Sequence, residues 1–78
     1  MTDELAHVIR REREARGLSM SAVAERAGLS QQMVSYVERG MRIPTIDTLL
    51  RISVALEVDL ADLIQRAQSA AARSTSKS

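Results

Sequence analysis

The 78-residue chain predicts an all-α fold, a compact domain of five helices, and three observations carry that prediction. Strand signals are weak: Phe and Trp are absent, no run alternates apolar with polar residues, and helix formers dominate. Gly17, Gly28 and Gly40 fall at nearly equal intervals, each closing a helical pattern in the way of glycines just past a helix C-terminus. On either side of them, apolar residues recur three and four apart, as in Leu5, Val8 and Ile9 or Leu49, Ile52 and Leu56.

Cutting the chain at these marks gives the elements in order. Helix 1 is expected from about Asp3 to Ala15, with Thr2 as its cap, acids in the first turn, and Leu5, Val8 and Ile9 facing inward. Helix 2 is short, Met20 to Ala27, capped by Ser19 and burying Val23, Ala24 and Ala27. Helix 3 follows the turn at Gly28 and Leu29, with Ser30 as cap and Val34 and Val37 inward. Helix 4 is expected from about Ile46 to Leu56 after Pro44 and Thr45. Helix 5 is expected from about Leu60 to Ala67 or beyond, with Asp59 as cap. Residues 1–68 are thus read as the folded domain and 69–78, small and polar, as a flexible tail.

Composition narrows the function classes. With 45% hydrophobic and 27% charged residues the chain reads as a soluble globular protein, small enough to be marginally stable or to lean on a second subunit. It has no cysteine, and the lone histidine, His7, is read as an exposed helix residue, so no metal or cofactor is expected. No apolar run approaches the roughly 18 residues of a membrane span. The start MTDELAHV is acidic rather than signal-like, and a cytoplasmic location without membrane contact is expected. Ser, Asp and His7 are too scattered for a catalytic constellation, so an enzyme is not expected. The net charge is only +1, yet its distribution is uneven. Arg39 and Arg42 meet no acid between them, whereas residues 47–62 carry Asp47, Glu57, Asp59 and Asp62 against Arg51 alone, which suits an anion at one end of the molecule.

Two short helices around a tight turn at Gly28 form a helix-turn-helix arrangement, whose second helix is the one that enters a DNA major groove. The stretch LSMSAVAERAGLSQQMVSYVERGMRIPTIDTLLRISVALEVDLADLI, residues 18–64, resembles the lambda-repressor-like (Xre) helix-turn-helix family. The combination of Ala24, Gly28, the ERG of residues 38–40 and the late ALEV at these spacings carries the likeness. With Val34 and Val37 on the inner side, helix 3 turns Gln31, Gln32, Ser35, Tyr36 and Arg39 outward. A glutamine amide offers an acceptor beside a donor, which matches N6 and N7 of adenine. The resemblance implies base contacts from Gln31, Gln32, Ser35 and Tyr36, with the Tyr36 hydroxyl able to reach a phosphate. It implies phosphate contacts near Ser30 and Ser19, and Arg39 and Arg42, which flank Gly40 in the loop after helix 3, are read as further phosphate contacts. Met20 departs from the family, where a glutamine at this place braces helix 3 and holds a phosphate; methionine can do neither. Glu57 stands where relatives commonly carry glycine.

Two further readings follow. Arg13 continues the stripe of Leu5 and Ile9, and Glu38 continues Val34 by one turn, so each charge sits where an apolar residue is expected; they are read as an ion pair joining helices 1 and 3. Arg10, Arg11 and Arg16, mixed with Glu12 and Glu14, are read as a solvated face. Helices 4 and 5 carry more apolar surface than one core face needs, and Leu50, Val54, Val58 and Ile64 are the expected dimer interface. The expected function is sequence-specific binding of a palindromic operator in double-stranded DNA by a homodimer, for transcriptional regulation. The alternative is an antitoxin or accessory module whose main partner is an unidentified protein, autoregulating through DNA.

Overall fold

Three of the loops end on a hydroxyl side chain that caps the helix behind it. Ser19 accepts from the Ala22 N–H at 3.0 Å, Ser30 from the Met33 N–H at 3.1 Å and Thr45 from the Thr48 N–H at 3.1 Å. Each bond satisfies one of the donors that a helix leaves free at its start. The computed structural model describes residues 2–76, which form α1 (Thr2–Ala15), α2 (Met20–Ala27), α3 (Gln31–Glu38), α4 (Ile46–Leu56) and α5 (Leu60–Ser76). The expected cap at Thr2 falls on a side chain outside those described, and the backbone carbonyl of Asp59 accepts the first bonds of α5 from Asp62 and Leu63. Among the described residues no helix is long and apolar enough to cross a membrane.

The first four helices end alike. At each, one N–H reaches back five residues and the one before it reaches back three: Leu18 to Arg13 and Gly17 to Glu14, Leu29 to Ala24 and Gly28 to Glu25, Met41 to Tyr36 and Gly40 to Val37, Val58 to Ser53 and Glu57 to Val54. This paired closure needs a left-handed residue at its centre. Three of the four are glycines, and the fourth is Glu57 at φ 58 and ψ 41. A side chain in this conformation crowds its own carbonyl, at a cost of about 1–2 kcal/mol. Glu57→Gly is therefore expected to be neutral or stabilising, by up to about 1 kcal/mol, once the entropy cost of glycine is subtracted. Thermal melting checks this, and a clear loss of melting temperature contradicts it.

The capped helices bury one continuous core. Ile9, Val23, Val34, Ile52, Leu56 and Leu63 are fully enclosed, one or two from every helix. Ala24 and Ala27 are buried as well, and their small side chains let α2 lie between α3 and α4. α1 packs along α5, and the seam is closed by an ion pair of Glu12 with Arg66. Glu12 also meets Arg16 at 2.7 Å and keeps little solvent contact, so it is not part of a merely solvated face. The Arg66 hydrogen bond is the main reason its carboxyl sits below the usual glutamate range. α5 itself continues to Ser76, so residues 69–76, read from sequence as tail, are helical.

Candidate nucleic-acid interface

α2 and α3 are joined by a tight turn. Gly28 takes φ 70 and ψ 33, and a Cβ there would stand 3.2 Å from the Arg51 guanidinium, so the turn has little room for a side chain. Leu29 follows, partly buried against the core, and Ser30 opens α3. Val34 and Val37 fix the inner side of α3, which leaves Gln31 and Gln32 exposed at its start and Arg39 exposed at its end. Ser35 and Tyr36 are half-buried beside them. The four residues expected to read bases therefore share one side of α3.

Gln31, Gln32 and Tyr36 already have polar partners within α3 and on α2. The Gln32 amide donates to the Tyr36 hydroxyl at 2.7 Å, and the Arg42 guanidinium lies 5.2 Å from the centre of the Tyr36 ring. That distance is within the range of a cation–π attraction. Arg42 thereby lies beside α3, and the Tyr36 hydroxyl, expected to face a phosphate, has Gln32 as its partner. Gln31 accepts from the Ser21 hydroxyl at 2.7 Å. Met20 packs partly buried against the core and offers no such bond, so the brace between α2 and α3 comes from its neighbour. Ser21 is not legible in the sequence as a contributor, because its only signal is its place beside Met20.

Ser19 and Ser30 use their oxygens to cap α2 and α3, yet each hydroxyl still has its proton to donate. Two helix starts, with their unpaired N–H groups, thus stand on the side of the molecule that carries Gln31 and Gln32. The loop behind α3 adds Arg42 together with Met41 and Ile43, both exposed. No pattern in the sequence singles out these two apolar residues.

The pitch of α3 is set from behind. Arg13 donates to Glu38 through Nε at 2.7 Å and through Nη2 at 3.0 Å, and through Nη1 to the Leu18 carbonyl at 2.8 Å. The Glu38 hydrogen bond is the main reason the Arg13 guanidinium holds its proton more tightly than usual.

Leu50 and Val54 stand out from α4, with 46% and 72% of their surface exposed. With Arg26, Ala27 and Arg51 they line a shallow groove of about 230 Å³. Ile64 on α5 is half-buried, while Val58 packs partly against the core.

A family model described as helix-turn-helix (HTH_3) matches residues 9–63. The chain belongs to this helix-turn-helix family. The match takes in α1 from Ile9 through the two helices around Gly28 to Leu63 of α5. It is similar to an uncharacterised HTH-type transcriptional regulator of Mycobacterium tuberculosis, with 46% identity over 59 residues, 76% of this chain and 42% of the relative. It is similar also to the HTH-type transcriptional regulator SutR of Escherichia coli, with 36% identity over 66 residues, 85% of this chain and 37% of the relative. The chain thus spans about two fifths of the length of these curated relatives. Among solved structures it resembles the restriction-modification controller protein C.AhdI of Aeromonas hydrophila, with a TM-score of 0.77, 31% identity, and coverage of 80% of this chain and 94% of that one.

Proposed function

We propose that the protein is a transcriptional regulator that binds a palindromic operator in double-stranded DNA as a homodimer, with α3 in the major groove. The observation that carries this reading is the pairing of exposed Gln31 and Gln32 with two hydroxyl-capped helix starts on one side of the helix-turn-helix. Glutamine amides read base edges, whereas helix N-termini and arginines hold phosphates, so one side carries both parts of a DNA contact. Base readers are Gln31, Gln32, Ser35 and Tyr36; Ser19, Ser30, Arg39 and Arg42 hold the backbone. Relatives named as transcriptional regulators support the same reading.

Dimerisation is supported by Leu50 and Val54, whose exposure leaves α4 with an uncovered apolar stripe; the interface takes in Ile64 and Val58 as well. A two-fold contact there places two copies of α3 about one turn of DNA, ~34 Å, apart. The test is selection of bound duplexes from a random-sequence pool. A palindrome with half-sites about one helical turn apart is the expected result. Recovery of sequences without a shared motif contradicts sequence-specific binding, and a single unpaired half-site contradicts the dimer.

A further inference from the structure

Ser21 lies on α2, outside the helix that reads, yet its hydroxyl donates to Oε1 of Gln31 at 2.7 Å. We propose that Ser21 is a positioning residue for specificity: it fixes how Gln31 presents its amide to a base. The inference rests on the DNA-reading role proposed above and deepens it.

A glutamine at an exposed helix start turns freely about its side-chain bonds, and rotation of the amide by half a turn exchanges its donor for its acceptor. The two orders suit different bases. An acceptor beside a donor matches adenine, which shows N6–H and N7, whereas guanine shows two acceptors, O6 and N7. A glutamine that can turn either way discriminates poorly between them. Two features hold Gln31 in one order. The Ser21 hydroxyl anchors the carbonyl oxygen, while one lone pair of that oxygen and both N–H bonds stay free for the groove. Ser21 is also the second residue of α2, at the helix end where backbone N–H groups gather positive charge, and an oxygen is favoured over an amino group there. The neighbouring Met20 packs against the core and has no donor with which to duplicate the bond.

Ser21 is exposed, and its bond to Gln31 joins two solvent-facing side chains. Its loss therefore leaves folding almost untouched, and Ser21→Ala should melt within a few degrees of wild type. Its effect is confined to recognition.

The test uses the whole chain and duplexes selected by the wild type from a random pool. The base pair at which Gln31→Ala alone relaxes selection marks the position that Gln31 reads. Ser21→Ala should relax that same position, with discrimination falling about three- to tenfold, the value of one net hydrogen bond. Every other position and the affinity for unrelated duplex should stay unchanged. Ser21→Thr, which keeps the hydroxyl, should restore the wild-type preference. In the Gln31→Ala background, Ser21→Ala should add nothing, because a residue acting through Gln31 has nothing left to act on. Unchanged discrimination in Ser21→Ala, or a full additional loss in the double variant, overturns the proposal while leaving DNA reading intact. Absence of any selected motif in the wild type overturns the reading and this proposal together.

Discussion

Glu38→Gln is expected to destabilise the fold by about 3 kcal/mol or more, the usual cost of breaking a buried pair from one side. The Glu38 side chain keeps only 5% of its surface and that of Arg13 13%, so water cannot replace the lost charge. Glutamine retains the shape and one acceptor but leaves the guanidinium without its counter-charge. For a domain of this size, 3 kcal/mol lowers the melting temperature by about 12 °C or more. Removing both charges is a different experiment. Arg13→Met with Glu38→Leu leaves no orphaned ion and should cost much less, because the pair offsets its own desolvation only narrowly. The pair fixes the seat of α3 against α1 more than it adds net stability. The double variant should accordingly remain folded yet bind DNA less selectively. A Glu38→Gln protein that melts like wild type contradicts the burial argument.

The second large effect is expected at Val54→Asp. Val54 is 72% exposed in the single chain, so the substitution should leave the fold of one subunit within about 0.5 kcal/mol of wild type. In a two-fold dimer the same change places two unpaired carboxylates in one apolar contact, one from each subunit. At about 3–5 kcal/mol for each uncompensated buried charge, subunit affinity should fall more than a hundredfold. Sedimentation at micromolar concentration should show dimers for wild type and monomers for the variant, with matching circular dichroism. Operator affinity should fall with it, since each α3 then binds its half-site alone. A variant that sediments like wild type removes α4 from the interface.

Much of this is legible in the sequence, for identifiable physical reasons. Gly17, Gly28 and Gly40 mark helix ends because only glycine takes φ 65, 70 and 68 without strain, and all three do so. Ser19, Ser30 and Thr45 announce helix starts, since short hydroxyl side chains bond back to the third residue on. Arg13 and Glu38 betray each other by occupying apolar positions. Other features depend on angles between helices, which periodicity does not encode. The bond of Ser21 to Gln31 needs the crossing of α2 and α3. Glu12 and Arg66, 54 residues apart, meet only because α1 lies along α5. The length of α5 is obscured because Ser69, Ser74, Thr75 and Ser76 read as tail on local grounds, although Ala70, Ala71 and Ala72 between them favour a helix.

The central claim is that Gln31 and Gln32 read bases while arginines hold the backbone, and one measurement separates the two roles. Affinity is measured on a selected operator and on a random duplex, across a range of salt concentrations, for alanine variants of Gln31, Gln32, Arg39 and Arg42. A base contact discriminates by about 1–3 kcal/mol. Each glutamine variant should therefore lose about five- to a hundredfold on the operator and almost nothing on random DNA. Each arginine variant should weaken both DNAs alike and flatten the salt dependence by about one unit of slope for each phosphate no longer held. Equal losses on both DNAs for Gln31→Ala and Gln32→Ala would mean that these side chains only position α3, and the claim that they read bases would fall.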